Sequence, residues 1–82
     1  MEKINVEQVV REIMEYTRPD VDFDKEKDLI SGGVLESIDI VEIVAQIEDR
    51  LGVTIMTSEL VEENFKSYES VVFLVRKVME AE

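Results

Sequence analysis

Eighty-two residues carry nine basic and twenty acidic side chains, a formal charge of -11, with 45% hydrophobic content; residues 1–82 can build one small domain and no second core. Cysteine and histidine are absent, which excludes disulfides, thiolate metal sites, the usual zinc ligand and the base that a serine nucleophile needs. The summed negative field repels nucleic acid and anionic membrane and favours protein partners with basic patches.

The opening Met1-Glu2-Lys3-Ile4-Asn5-Val6-Glu7 has neither a basic region nor an apolar run of the export type, and no later stretch reaches membrane-spanning length. The expectation is a soluble, cytoplasmic protein with no membrane insertion. From Val6 to Thr17, the residues Val6, Val9, Val10, Ile13 and Met14 recur at helical spacing, with Asn5 placed to cap and Gln8 placed to complete a capping box. Pro19 pushes Arg18 out of the helical region and ends this first helix.

Residues 18–36 make a connection too long to be left unstructured, so it is expected to fold back over the core on Phe23, Leu29, Ile30, Val34 and Leu35. Gly32-Gly33 supplies the turn at its end. Asp20, Asp22 and Asp24 match the opening positions of a calcium loop, but Lys25 replaces the required glycine and Ser31 the bidentate glutamate. The segment therefore reads as a solvated acidic loop without a metal.

A second helix is expected from Ser37 or Ile38 to Leu51, with Ser37 as N-cap, Asp39 in the first turn and Gly52 as the stop. At 100° per residue Ile40, Ile43, Val44, Ile47 and Leu51 form the core stripe. Ile38, Val41 and Ala45 form a second apolar line turned away from it, with Asp39, Glu42, Glu48 and Asp49 around it. Periodicity allows two accounts of that line: a docking strip for a basic, partly apolar partner, or a broad core stripe wrapped by neighbouring helices.

After the short apolar run Val53 to Met56, residues Ser58 to Glu63 read as a brief third helix of about two turns. Ser67 is placed to cap a fourth from Tyr68 to about Glu80, with Val71, Leu74, Val75 and Val78 facing inward. Phe73 lies opposite that face and either packs on the long loop or offers a contact to another molecule. Glu62-Glu63 and Glu80-Ala81-Glu82 read as solvated helix ends rather than acid-base pairs, and no residue is assigned a catalytic role. The resulting architecture is an all-α four-helix bundle with three long helices, one short third helix and a long first loop.

Ser37 has two readings. Serine is a preferred N-cap, its hydroxyl accepting from the open amides of the first turn. An attachment serine at the same place must instead leave its hydroxyl exposed at the junction of loop and helix, where the helix end accommodates a covalently held phosphate. Spacing leaves both open, the cap being the simpler.

The run Gly33-Val34-Leu35-Glu36-Ser37-Ile38-Asp39-Ile40-Val41-Glu42-Ile43-Val44 resembles the signature of the acyl carrier and peptidyl carrier protein family. Similarity continues through Ile47-Glu48-Asp49-Arg50-Leu51-Gly52-Val53 and Glu63-Asn64-Phe65-Lys66-Ser67. The resemblance implies a bundle of acyl-carrier type in which Ser37 bears a 4'-phosphopantetheine arm, taken from coenzyme A, whose thiol holds an acyl or aminoacyl group as a thioester. It implies a non-catalytic carrier in fatty acid or secondary metabolite biosynthesis. Its partners would be a phosphopantetheinyl transferase, a loading ligase, and downstream synthase or transferase enzymes with basic docking patches. Glu36, Ile38, Asp39, Val41, Glu42, Ala45, Glu48 and Asp49 would greet them, and the core between helices two, three and four would shelter the cargo. Glu36 in place of the usual aspartate, Ile38 in place of leucine and Met56 in place of proline point to a specialised stand-alone carrier, similar to the D-alanyl carrier proteins in its Gly-x-x-x-Ser spacing. The competing reading is an acidic helical interaction module in which Ser37 is only a helix cap.

Overall fold

Three α-helices organise the chain in the computed structural model, which describes residues 5–81: α1 Val6–Thr17, α2 Ser37–Leu51 and α3 Tyr68–Ala81. Residues 1–4 and 82 lie outside the described residues, and with them most of the opening stretch and the end of Glu80-Ala81-Glu82. Among the described residues there is no strand, and no helix is long and apolar enough to cross a membrane.

Local signals fix the helix ends. Asn5 accepts the Gln8 N–H at 3.1 Å and starts α1, although the Gln8 side chain reaches forward to Glu12 at 3.0 Å instead of back to close the expected box. At the other end the Arg18 N–H bonds to the Met14 carbonyl at 2.9 Å before Pro19 forbids another turn. Gly52 terminates α2 at φ 67°, a left-handed geometry that a side chain would strain. Ser67 caps α3 as expected, its hydroxyl accepting the Ser70 N–H at 3.2 Å.

The short third helix takes a different form. Residues Thr57–Glu59 and Glu62–Phe65 make two 3-10 turns, parted by Leu60 and an extended Val61 at φ -119° and ψ 156°. The reason lies in the Glu59 carbonyl, which accepts the Val61 N–H at 2.9 Å and the Asn64 side-chain amide at 2.7 Å, so that Asn64 ties the two turns together. A continuous α-helix over Ser58 to Glu63 would need that carbonyl for the Glu63 N–H. The architecture is therefore three α-helices with two 3-10 turns, where the sequence suggested four helices.

Val10, Ile13 and Met14 of α1, Ile43 and Ile47 of α2, and Val71, Leu74, Val75 and Val78 of α3 meet in one core. Tyr68 joins α1 to α3: its hydroxyl donates to the Glu7 carbonyl at 2.7 Å and the Arg11 guanidinium lies 4.4 Å over its ring. The long connection does fold back. Phe23, Leu29 and Leu35 are buried in the core, with Ile30 and Val34 packed against it. Leu29 also fastens the backbone, giving its N–H to the Lys66 carbonyl at 2.8 Å and accepting from Val34 at 3.0 Å and Leu35 at 2.8 Å. Of the loop aspartates, Asp24 pairs with Arg11 and Asp20 with Arg18, while Asp22 accepts the Asp24 N–H at 3.1 Å. Phe73 does not pack on the loop; it is 71% exposed.

Candidate functional site

The approach to Ser37 is a tight turn. Gly33 takes a positive φ of 73°, its N–H bonds to the Ile30 carbonyl at 3.0 Å, and Leu35 then dives into the core. Glu36 follows in extended geometry and occupies the N-cap position of α2, so the helix begins at Ser37 itself. This corrects the expectation that Ser37 is the cap. Asp39, three residues on from Glu36, accepts the Glu36 N–H at 2.9 Å, so an acidic pair does the capping that the serine was expected to do.

Ser37 is consequently the first helical residue, exposed, with a hydroxyl that makes no hydrogen bond among the described residues. A hydroxyl freed from capping at the positive end of a helix can accept a covalent phosphate ester without breaking any internal contact.

Beyond the serine the second apolar line stands open. Ile38 is 75% exposed, Val41 64% exposed, and Ala45 continues the strip along α2. The alternative of a broad stripe wrapped by neighbouring helices is thereby excluded for these residues. Glu36, Glu42 and Asp49 are exposed beside it, Glu42 accepting from the Gln46 amide one turn along at 3.1 Å.

Two of the acidic residues expected at this surface are used by the fold. Asp39 is largely buried and, besides its bond to Glu36, takes the Arg18 guanidinium at 3.1 Å. Glu48 accepts the Ile55 N–H at 2.8 Å, pinning the connection after α2 to the helix it has just left. Each spends one oxygen, Asp39 Oδ2 and Glu48 Oε2, on these contacts.

Arg18 gave no functional signal in the sequence, where it is only the residue before a proline. Its guanidinium meets Asp20 through two hydrogen bonds of 3.0 and 2.9 Å, Asp39 at 3.1 Å and the Val34 carbonyl. Asp20 first, and Asp39 after it, hold the guanidinium even further above its ordinary range, and Arg18 holds the Asp20 carboxyl below its own. The sequence also gave no notice that Met56, Leu60 and Val61 would be exposed; their exposure follows from the 3-10 geometry, which leaves no single inward face for them.

Residues 6–72 match the family model described as the phosphopantetheine attachment site. The chain belongs to that family. It is a phosphopantetheine-bearing carrier protein of all-helical fold, and the reading as an interaction module with a merely structural serine is not favoured. Two curated relatives are each 29% identical over 75 residues, spanning 92% of this chain and 95% of their own length: D-alanyl carrier proteins of Streptococcus suis, strains 98HAH33 and 05ZYH33.

Proposed function

We propose that Ser37 is the residue that carries the 4'-phosphopantetheine arm, and that residues 1–82 act as one non-catalytic, cytoplasmic carrier unit presenting a thioester to separate enzymes. The observation that carries this reading is the exposed hydroxyl of Ser37, which makes no hydrogen bond among the described residues, at the first residue of α2. Attachment forms a bond from Ser37 Oγ to the pantetheine-side phosphorus of coenzyme A and breaks the pyrophosphate bond. Adenosine bisphosphate leaves with the electron pair, and the hydroxyl proton passes to the transferase. The arm then supplies the thiol that this cysteine-free chain lacks. Incubation with coenzyme A and a broad-specificity phosphopantetheinyl transferase, followed by intact-mass measurement and peptide mapping, should show a single phosphopantetheine increment on Ser37.

The strip Ile38, Val41 and Ala45, rimmed by Glu36, Glu42 and Asp49, is the proposed docking face for the transferase, the loading ligase and downstream enzymes with basic patches. Asp39 and Glu48 are removed from that set because their carboxylates hold the chain together. Val41→Asp puts a charge at the centre of the strip without touching the core. It should raise KM for the transferase at least about tenfold with the circular dichroism spectrum unchanged. An unaltered KM would end the docking assignment.

For the cargo we favour a short aminoacyl group, as the name D-alanyl carrier protein indicates for the two relatives. Ile43, Ile47, Val53, Ile55, Phe65, Leu74 and Val75 fill the space where a shelter for cargo was expected, and a long chain would have to displace them. D-alanyl and octanoyl thioesters of the loaded protein should accordingly melt within about 2 °C of each other. A clearly higher midpoint for the octanoyl form would mean that the chain is taken inside, and would overturn the short-cargo reading.

A further inference from the structure

We infer that Arg18 is a positioning residue for the modification of Ser37, an inference that rests on the attachment reading above. Among the described residues Ser37 has no side-chain hydrogen bond, so the place of its hydroxyl is set by the backbone on either side. Arg18 holds both sides. One nitrogen, Nη1, donates to the Val34 carbonyl three residues before the serine and to Asp39 Oδ2 two residues after it. The same Asp39 oxygen receives the Glu36 N–H at 2.9 Å, so one carboxylate oxygen links the guanidinium, the residue before Ser37 and the first turn of α2.

Nε and Nη2 each donate to Asp20, whose carboxylate fixes the plane of the group from the outside. The Arg18 side chain is 26% exposed and that of Asp39 14%, so the link is shielded from solvent on its inner side. Arg18 also stands at the end of α1, between Thr17 and Pro19. It therefore anchors the turn at 33–37 to a rigid helix across the whole length of the long connection. An arginine suits this work because its planar fork can serve two acceptors and a carboxylate at once, whereas a lysine offers a single point of attachment.

An anchored serine reaches a transferase already oriented, and an unanchored one must be ordered at each encounter. The expected signature of Arg18→Met is therefore a fall in kcat for conversion by the transferase, by about tenfold or more, with KM changed less than about twofold, because the apolar line Ile38, Val41 and Ala45 is untouched. Arg18→Lys should recover part of the loss. In the Met variant the Glu36 amide should also exchange its hydrogen faster, measured well below the melting midpoint, while the buried α3 amides of Val71 and Leu74 keep their protection.

A Met variant converted with parental kcat, or one in which kcat falls only in step with a general loss of amide protection, would overturn the positioning role. Failure of the unsubstituted chain to acquire any adduct is a different result: it removes the attachment reading itself and this inference with it. An adduct on the parent combined with parental kcat in Arg18→Met removes this inference alone.

Discussion

Replacing Ser37 by alanine is expected to abolish covalent loading and leave the fold almost untouched. A serine acting as N-cap would cost about 1 kcal/mol when truncated, because an amide in the first turn would lose its acceptor. Here the cap position belongs to Glu36, and the Asp39 carboxylate accepts from Glu36, so truncation of Ser37 removes no observed hydrogen bond. Alanine is also the better helix former at an exposed helical position. The stability change should therefore lie within about 0.5 kcal/mol in a urea melt, while intact-mass measurement after transferase treatment shows only unmodified chain.

The two readouts separate the two serine roles that spacing could not. A loss near 1 kcal/mol would restore the cap; an adduct surviving in the variant would move the attachment elsewhere. The other serines differ in their availability: Ser67 is buried and spends its hydroxyl on α3, and Ser70 bonds to Ser67 at 3.1 Å, whereas Ser31 and Ser58 are exposed. A surviving adduct would be sought on the latter two.

Leu29→Ala is expected to cost about 2–5 kcal/mol of stability. Leu29 is fully buried, and its backbone ties the loop both to Lys66 and to Val34 and Leu35. A domain of this length has roughly 4–12 kcal/mol of total stability, so the variant stands near the edge of folding. Side chain and backbone act together here. Once the leucine no longer fills its site, the amides of Val34 and Leu35 lose the fixed carbonyl that orders the approach to Ser37. Denaturant titration should show the fall in stability, and hydrogen exchange should show those two amides opening before the helices do. A loss under about 1 kcal/mol would mean that the loop collapses into the space and keeps its hold by other contacts.

Much of this fold could be read directly from the chain. The boundaries of α1, the stop at Gly52, the Ser67 cap and the anchors Phe23, Leu29 and Leu35 each depend on residue type and on neighbours within a turn or so, or on hydrophobicity alone. The carrier signature was legible for the same reason, being a contiguous run around Ser37 that the family model also covers. Exposure of the Ile38, Val41 and Ala45 line was half legible. Periodicity separated it from the core stripe, but only the packing of the neighbouring elements could say that it stands open among the described residues.

The errors share one physical origin. Serine is the better cap by type, yet Glu36 holds the position, and Asp39 is steadied there by an arginine 21 residues away in sequence. Glu48 looked like a free surface carboxylate until the returning chain brought the Ile55 amide to it, and the third helix gave way to 3-10 turns in which the Asn64 side chain takes the Glu59 carbonyl. Helical period, caps and breakers act over a few bonds, so residue order alone encodes them. Which carboxylate finds which donor, and which serine keeps its hydroxyl free, depends on groups that become neighbours only after the loop from Arg18 to Glu36 has closed over the core.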